Sequence, residues 1–154
     1  MKKSRILAVL LFFGTGFTSV LAEPEAAQNI GVGFLVGYPA NGISVKLPMS
    51  PSTSLNGLMG YDLQHSDVDL RFDYVWYQYG LLAVPKGSLP LYYGPGVHAS
   101  LGSRNEIGVQ GVVGVEYQFP TTPLDFFLEL APGINVLPAT TPAISVGFGA
   151  RFFF

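Results

Sequence analysis

The sequence predicts an all-β protein, an eight-stranded antiparallel up-and-down transmembrane β-barrel. Three observations carry that expectation. First, apolar residues alternate with small or polar ones at period two through most of the chain, as a strand with one greasy face requires. Second, 49% of residues are hydrophobic and only 12% charged, yet nothing approaches the roughly 18 consecutive apolar residues of a membrane helix. Third, a chain this poor in charge would struggle to stay dissolved, whereas hydrophobicity spread at period two is the pattern of a barrel in lipid. The stretch Ile144 to Phe154 shows it best. Ile144, Val146, Phe148, Ala150, Phe152 and Phe154 form one apolar row, against Ser145, Gly147, Gly149, Arg151 and Phe153.

The first residues read differently. Lys2, Lys3 and Arg5 form a basic start, Ile6 to Phe13 is an apolar run, and Val20-Leu21-Ala22 is a cleavage pattern. Residues 1–22 are therefore expected to be a cleaved signal peptide, too short for a spanning helix and without the Cys of a lipoprotein. Residues 23–29 are a short polar lead-in and residues 30–154 the barrel. The chain has 8 basic and 10 acidic residues, and three of the basic ones lie in the signal, so the remainder is net acidic. That excludes nucleic acid as a partner, since phosphate binding needs clustered Lys and Arg. No Cys means no disulfide framework and no thiolate metal site. No phosphate loop, metal spacing or calcium loop is present, and no cofactor is expected.

Eight strands follow in order. The first is Ile30 to Gly37, with Ile30, Val32, Phe34 and Val36 on one face, ending in a turn at 38–42 built on Pro39 and Asn41-Gly42. The second, Ile43 to Leu47, sets Ile43, Val45 and Leu47 against Ser44 and Lys46, and Pro48 to Thr53 turns it. The third, Ser54 to Asp62, has Leu55, Met59 and Tyr61 outward, with Leu58 on the wrong face for that register. After a polar loop at 62–67, the fourth puts Val68, Leu70, Phe72, Tyr74 and Trp76 outward and Asp69, Arg71 and Asp73 inward. Three charges at alternate positions imply a shared polar interior.

Residues 78–89 read as an extended hairpin turning at 85–88. The fifth strand, Leu91 to Leu101, points Tyr92, His98 and Ser100 inward, and 102–106 turns it. The sixth, Ile107 to Phe119, points Gln110, Glu116 and Gln118 inward. The seventh, Leu124 to Val136, points Asp125 and Glu129 inward, and 137–142 leads to the eighth, which ends the chain. Pro95 and Pro132 fall inside strands and remove ladder bonds, so bulges are expected beside them. Membrane-crossing strands need about 9–11 residues each, and only a closed barrel leaves no unpaired backbone edge in hydrocarbon. An even strand number puts both termini on the periplasmic side.

The expected interior is a polar network of Lys46, Asp69, Arg71, Asp73, His98, Glu116, Asp125, Glu129 and Arg151. An eight-stranded barrel is just wide enough for side chains to fill, so these charges pair into a plug rather than line a gated conduit. Tyr61, Tyr74, Trp76, Tyr93, Tyr117, Phe119, Phe152 and Phe154, outward and mostly near strand ends, are expected to form interfacial girdles.

His98-Ala99-Ser100 resembles the His-x-Ser pair of outer-membrane lipid A deacylases, with Glu106 nearby. Leu101 and Gly102 stand where that family carries Asn and Ala, and the parity points His98 and Ser100 into the lumen. Catalysis is therefore not expected. Four longer segments resemble a group of small outer-membrane β-barrels of unknown function first noted in spirochaetes. They are residues 31–46, Asp73-Tyr-Val-Trp76, residues 86–94 (KGSLPLYYG) and residues 123–133 (PLDFFLELAPG). The resemblance implies an OmpA- or OmpX-like barrel with a structural or surface role, and Phe148, Phe152 and Phe154 as the signal read by the barrel-insertion machinery. It also implies host-protein binding through surface loops, against which the short loops at 38–42, 62–67, 102–106 and 137–142 count. Two alternatives stay open, a small-solute channel and a soluble lipocalin-like binder of an apolar ligand with the two faces exchanged.

Overall fold

The computed structural model describes residues 29–154. The expected signal peptide and nearly all of the polar lead-in lie outside the described residues. Eight strands run β1 (Gly31–Tyr38), β2 (Asn41–Ser50), β3 (Thr53–Asp62), β4 (Asp67–Gln78), β5 (Leu91–Leu101), β6 (Glu106–Gln118), β7 (Leu124–Leu137) and β8 (Thr141–Phe153). Each pairs antiparallel with its sequence neighbour, and β1 pairs with β8, so the sheet closes on itself. Closure satisfies every strand's backbone laterally and leaves no free edge.

The registers fix the stagger. From Gly31 the cross-strand partners run Lys46, Asn56, Asp73, Gly96, Gln110, Gly133 and Ala143. The path arrives on β8 ten residues from Phe153, which is Gly31's direct partner there. Such a stagger tilts the strands by about 35–45°. A ten-residue strand rising ~3.3 Å per residue then spans roughly 25 Å along the barrel axis, the height of an outer-membrane barrel's apolar band.

Period-two burial runs through all eight strands, and Leu58 does point inward with Ser54, Asn56 and Asp62 as the predicted register of β3 requires. Three local expectations are corrected. Residues 78–89 form no hairpin. Residues 79–90 make one long connection whose Ser88 bridges Gln118, the last residue of β6, held by Ser88 N–H to Gln118 O at 3.1 Å and the return bond at 2.8 Å. The ladder is interrupted where Pro95 faces β4 and where Pro132 faces β6, but the register resumes unshifted; the bulges lie instead at Pro48/Ser50 and Ile107/Gly108. A missing N–H costs one bond without inserting a residue, so a proline interrupts pairing but need not bulge it. Finally, Asn41-Gly42 begins β2 instead of forming the turn, because Gly42 pairs with both Leu35 and Gly60.

Both described ends of the chain, and the connections at 51–52, 79–90 and 119–123, lie at one end of the barrel. The connections at 39–40, 63–66, 102–105 and 138–140 lie at the other. The longest connection is thus at the terminus end, the reverse of the usual outer-membrane arrangement.

Candidate functional site: the barrel lumen and its two ends

All eleven charged residues on the strands point inward, and the outward face carries none. Those within the barrel are nearly all buried, while Phe34, Val36, Met59, Phe72, Leu128 and Phe148 are each more than half exposed on the outside. The outer surface is therefore continuous hydrocarbon around the barrel. At the terminus end it is ringed by contacting aromatics. Tyr74 meets Trp76 edge-on at 5.2 Å, Trp76 lies 6.0 Å from Tyr93, and Tyr117, Phe119, Phe126 and Phe148 form a chain with spacings of 4.8, 5.4 and 6.1 Å. Phe152 and Phe154 meet at 5.2 Å. At the loop end the ring is sparser, with Tyr38 and Tyr61 exposed.

Inside, the nine residues expected to form one polar network divide into separate tiers. The tier nearest the terminus end centres on Glu116. Lys46 Nζ donates to its Oε1 at 2.5 Å, Arg151 Nη2 to its Oε2 at 2.6 Å, the Tyr77 hydroxyl to Oε2 at 3.1 Å and Gln118 Nε2 to Oε1 at 2.7 Å. Arg151 Nε also reaches Asp125 at 3.1 Å, and its guanidinium lies 4.0 Å over the Phe127 ring. Lys46 sits 4.2 Å over Tyr77. Two cations, two carboxylates and aromatic faces thus balance within one buried layer, which is the condition for burying charge at tolerable cost.

The middle tier joins Arg71 to Glu129 at 2.7 Å and to Asp73 at 3.5 Å, with Tyr92 donating to Glu129 at 2.9 Å and Gln110 to Asp73 at 2.6 Å. Asp69 and His98 join neither tier. Asp69 accepts from Ser100, and His98 Nε2 pairs with Asn135 at 2.8 Å. The Ser100 hydroxyl therefore points to a carboxylate and the imidazole to an amide. This is not the geometry of a His-activated serine.

The interior is also less polar than expected. Leu35, Leu58, Val75, Tyr77, Tyr92, Val112, Phe127 and Ala131 form a buried apolar cluster within it. Inward glycines make the room. A Cβ on Gly147 would sit 2.7 Å from Leu35, and one on Gly149 would collide with the Phe127 ring. Tyr92 was readable as inward from its parity, and the pairing of Gly114, Gly147 and Gly149 with the bulky Tyr92, Leu35 and Phe127 was not. Gln110, Gln118 and Asn135 are the polar members that charge counting passed over.

The tiers leave two vestibules with no lining residue in common. One, of about 350 Å³, is at the terminus end and is lined by Lys46, Tyr77, Gln118, Phe119 and Phe153 among others. The other, of about 390 Å³, is at the loop end and is lined by Asp69, Arg71, His98, Ser100, Asn135 and Ser145 among others. Between them Val75, Tyr92, Glu116, Phe127 and Arg151 are almost wholly inaccessible.

A polar clasp holds two of the loop-end connections together. Arg104 Nε donates to Asp67 at 2.6 Å and its Nη2 to Asp62 at 2.7 Å; Ser103 N–H and hydroxyl both reach Asp67, and His65 Nδ1 pairs with Asp62 at 2.8 Å. The clasp stands beyond Tyr61 and outside the apolar band. The hydrogen bond from Arg104 pulls the Asp67 carboxyl down to a pKa of about 2.

This combination defines a class, a closed antiparallel eight-stranded barrel turned apolar side out. Among solved structures, the N-terminal β-barrel domain of Pseudomonas aeruginosa OprF has the same fold, with a TM-score of 0.56 over 82% of this chain and 96% of that one at 14% sequence identity. No family model and no curated protein sequence matches the chain.

Proposed function

We propose that the protein is an integral outer-membrane β-barrel with a plugged lumen, whose role is structural or at the cell surface and neither catalytic nor conductive. The observation that carries this is the complete partition of charge. Every charged residue on a strand faces inward, and the outward face is apolar over about the height of a bilayer core. A water-soluble lipocalin-like binder needs the opposite arrangement. In this reading residues 1–22 direct export, outer-membrane lipid is the barrel's solvent, and the outward Phe148, Phe152 and Phe154 are the row presented to the assembly machinery. The fold is that of an OmpA-like barrel, and kinship with the small barrels noted in spirochaetes is an extension of it. The short loop-end connections leave little surface for an adhesive contact with a host protein.

Heat-modifiability tests the reading. In the outer-membrane fraction, unboiled protein should migrate differently from boiled protein on an SDS gel and should need detergent for release. A freely soluble periplasmic protein without a mobility shift would overturn it. Reconstituted in a planar bilayer, the folded protein should give no conductance steps, because Tyr92, Phe127 and the Glu116 tier separate the vestibules.

A further inference from the structure

We propose that the loop-end vestibule binds a small hydroxylated amine, an organic cation that also carries a hydrogen-bond-accepting oxygen. Four buried polar side-chain atoms lack a partner among the described residues: Asp69 Oδ2, Arg71 Nε, His98 Nδ1 and Ser145 Oγ. All four belong to residues that line this one vestibule, and none to a residue lining the other. Asp69, Arg71 and Ser145 are 7%, 6% and 8% exposed, so each is more than nine-tenths buried while lining the space. Buried polar groups are nearly always paired, and a cluster of exceptions around one cavity marks the place where something else supplies the partners.

Charge selects a cation. The side chains facing this half of the barrel include the carboxylates of Asp62, Asp67, Asp69, Asp73, Glu106 and Glu129 against the cations Arg71 and Arg104, with His65 and His98 able to add positive charge only on protonation. Each arginine is already answered by two carboxylates, Arg71 by Asp73 and Glu129, Arg104 by Asp62 and Asp67. Asp69 and Glu106, both lining the vestibule, form no ion pair among the described residues, so an anion is repelled and an ammonium attracted. No group of three or more His, Cys, Asp or Glu is placed to hold a metal among the described residues.

The remaining atoms select the hydroxyl. Arg71 Nε is a donor, which an ammonium cannot satisfy and a carboxylate could meet only against the field of Asp73 and Glu129. A hydroxyl oxygen can accept from it. Asp69 and Arg71 are two residues apart on one face of β4, about 7 Å along the strand, a span that an ammonium and a hydroxyl on adjoining carbons can serve. His98 Nδ1 and Ser145 Oγ accept the remaining protons, and Ala40, Leu58 and Ala131 give the carbon skeleton an apolar wall. Exposed Tyr38, Thr141 and Pro142 border the space, so it opens at the loop-end rim, while the closed sheet bars entry from the side. A soluble molecule therefore enters it more readily than a lipid embedded beside the barrel.

The test uses the full chain refolded in detergent, with folding of each variant checked by heat-modifiability. Titration with ethanolamine should show saturable binding by calorimetry and shift the His98 imidazole resonances, while glycerol and acetate bind at least tenfold more weakly. Asp69→Asn, which keeps a partner for Ser100, should weaken ethanolamine at least tenfold, and Ser145→Leu should abolish binding by filling the space. Ser50→Ala, in the other vestibule, should change nothing. If Asp69→Asn fails to fold, Ser145→Leu alone decides. Absence of saturable binding, equal affinity in the folded Asp69→Asn or Ser145→Leu protein, or tighter binding of acetate than of ethanolamine would each overturn the proposal.

Discussion

Arg151 on β8 and Glu116 on β6 meet at 2.6 Å, although β7 lies between their strands and neither side chain is more than 1% exposed. The contact spans the lumen rather than the sheet. It couples strands that share no backbone ladder, and Lys46 on β2 extends the same carboxylate to a third strand.

Loss of that carboxylate leaves two buried cations short of a partner. Glu116→Gln should destabilise the refolded barrel by about 3–5 kcal/mol, read as a lower urea midpoint. Adding Lys46→Met should restore part of the loss by removing one uncompensated charge. A double variant no more stable than the single would argue that the tier is held by packing alone.

Charge on the outer face should be costly. Val113 is outward near mid-strand, and Val113→Arg should lower the stability of the lipid-embedded barrel by about 2–4 kcal/mol and reduce its level in the outer membrane. Unchanged folding and yield would favour a water-facing surface.

Tyr92 and Phe127 stand between the two vestibules. Replacing both by Ala should create a continuous aqueous path, seen as conductance steps in planar bilayers where the parent protein gives none. A silent double variant that is folded would place the barrier in the Glu116 tier instead.

Gly147 should resist substitution. Its Cβ position is 2.7 Å from the buried Leu35, so Gly147→Val forces a shift and should cost about 1–3 kcal/mol of overpacking. Leu35→Ala in the same chain should recover part of this in the urea midpoint.

The loop-end clasp should open in acid. Because Arg104 depresses the folded-state pKa of Asp67 to about 2, the clasp contributes stability above the ordinary aspartate range, near 3.8, and loses it as the pH falls toward 2. Protection of the Ser103 and Arg104 amides, which donate to Asp67, measured against their intrinsic exchange at each pH, should fall across that window and already be low at neutral pH in Asp67→Ala. Protection independent of pH from 5 to about 2 would contradict the linkage.

Parity did most of the work in the sequence. Because side chains alternate across a strand, the spacing of Asp69, Arg71 and Asp73 against Val68, Leu70 and Phe72 alone states which face is polar. Eight such stretches joined by turns then leave closure as the way to satisfy their edges. The chain itself therefore determined the number of strands, their neighbours, the inward set of charges and the outward aromatics. What parity cannot carry is distance around the barrel. Whether Arg151 meets Glu116 or Glu129 depends on the β6–β7 and β7–β8 registers, and whether Lys46 of β2 reaches the same carboxylate depends on the ten-residue stagger, to which all eight registers and the bulges at Pro48 and Ile107 contribute. The β7–β8 register sets Gly149 against Phe127, and the closing β1–β8 register sets Gly147 beside Leu35, so that the two together decide where the lumen is blocked. The stagger also gathers Asp69, Arg71, His98 and Ser145 from three strands around one space. Local alternation is a property of single strands and is written in the sequence. The plug and the vestibule are properties of all eight at once, and only closure of the sheet decides them.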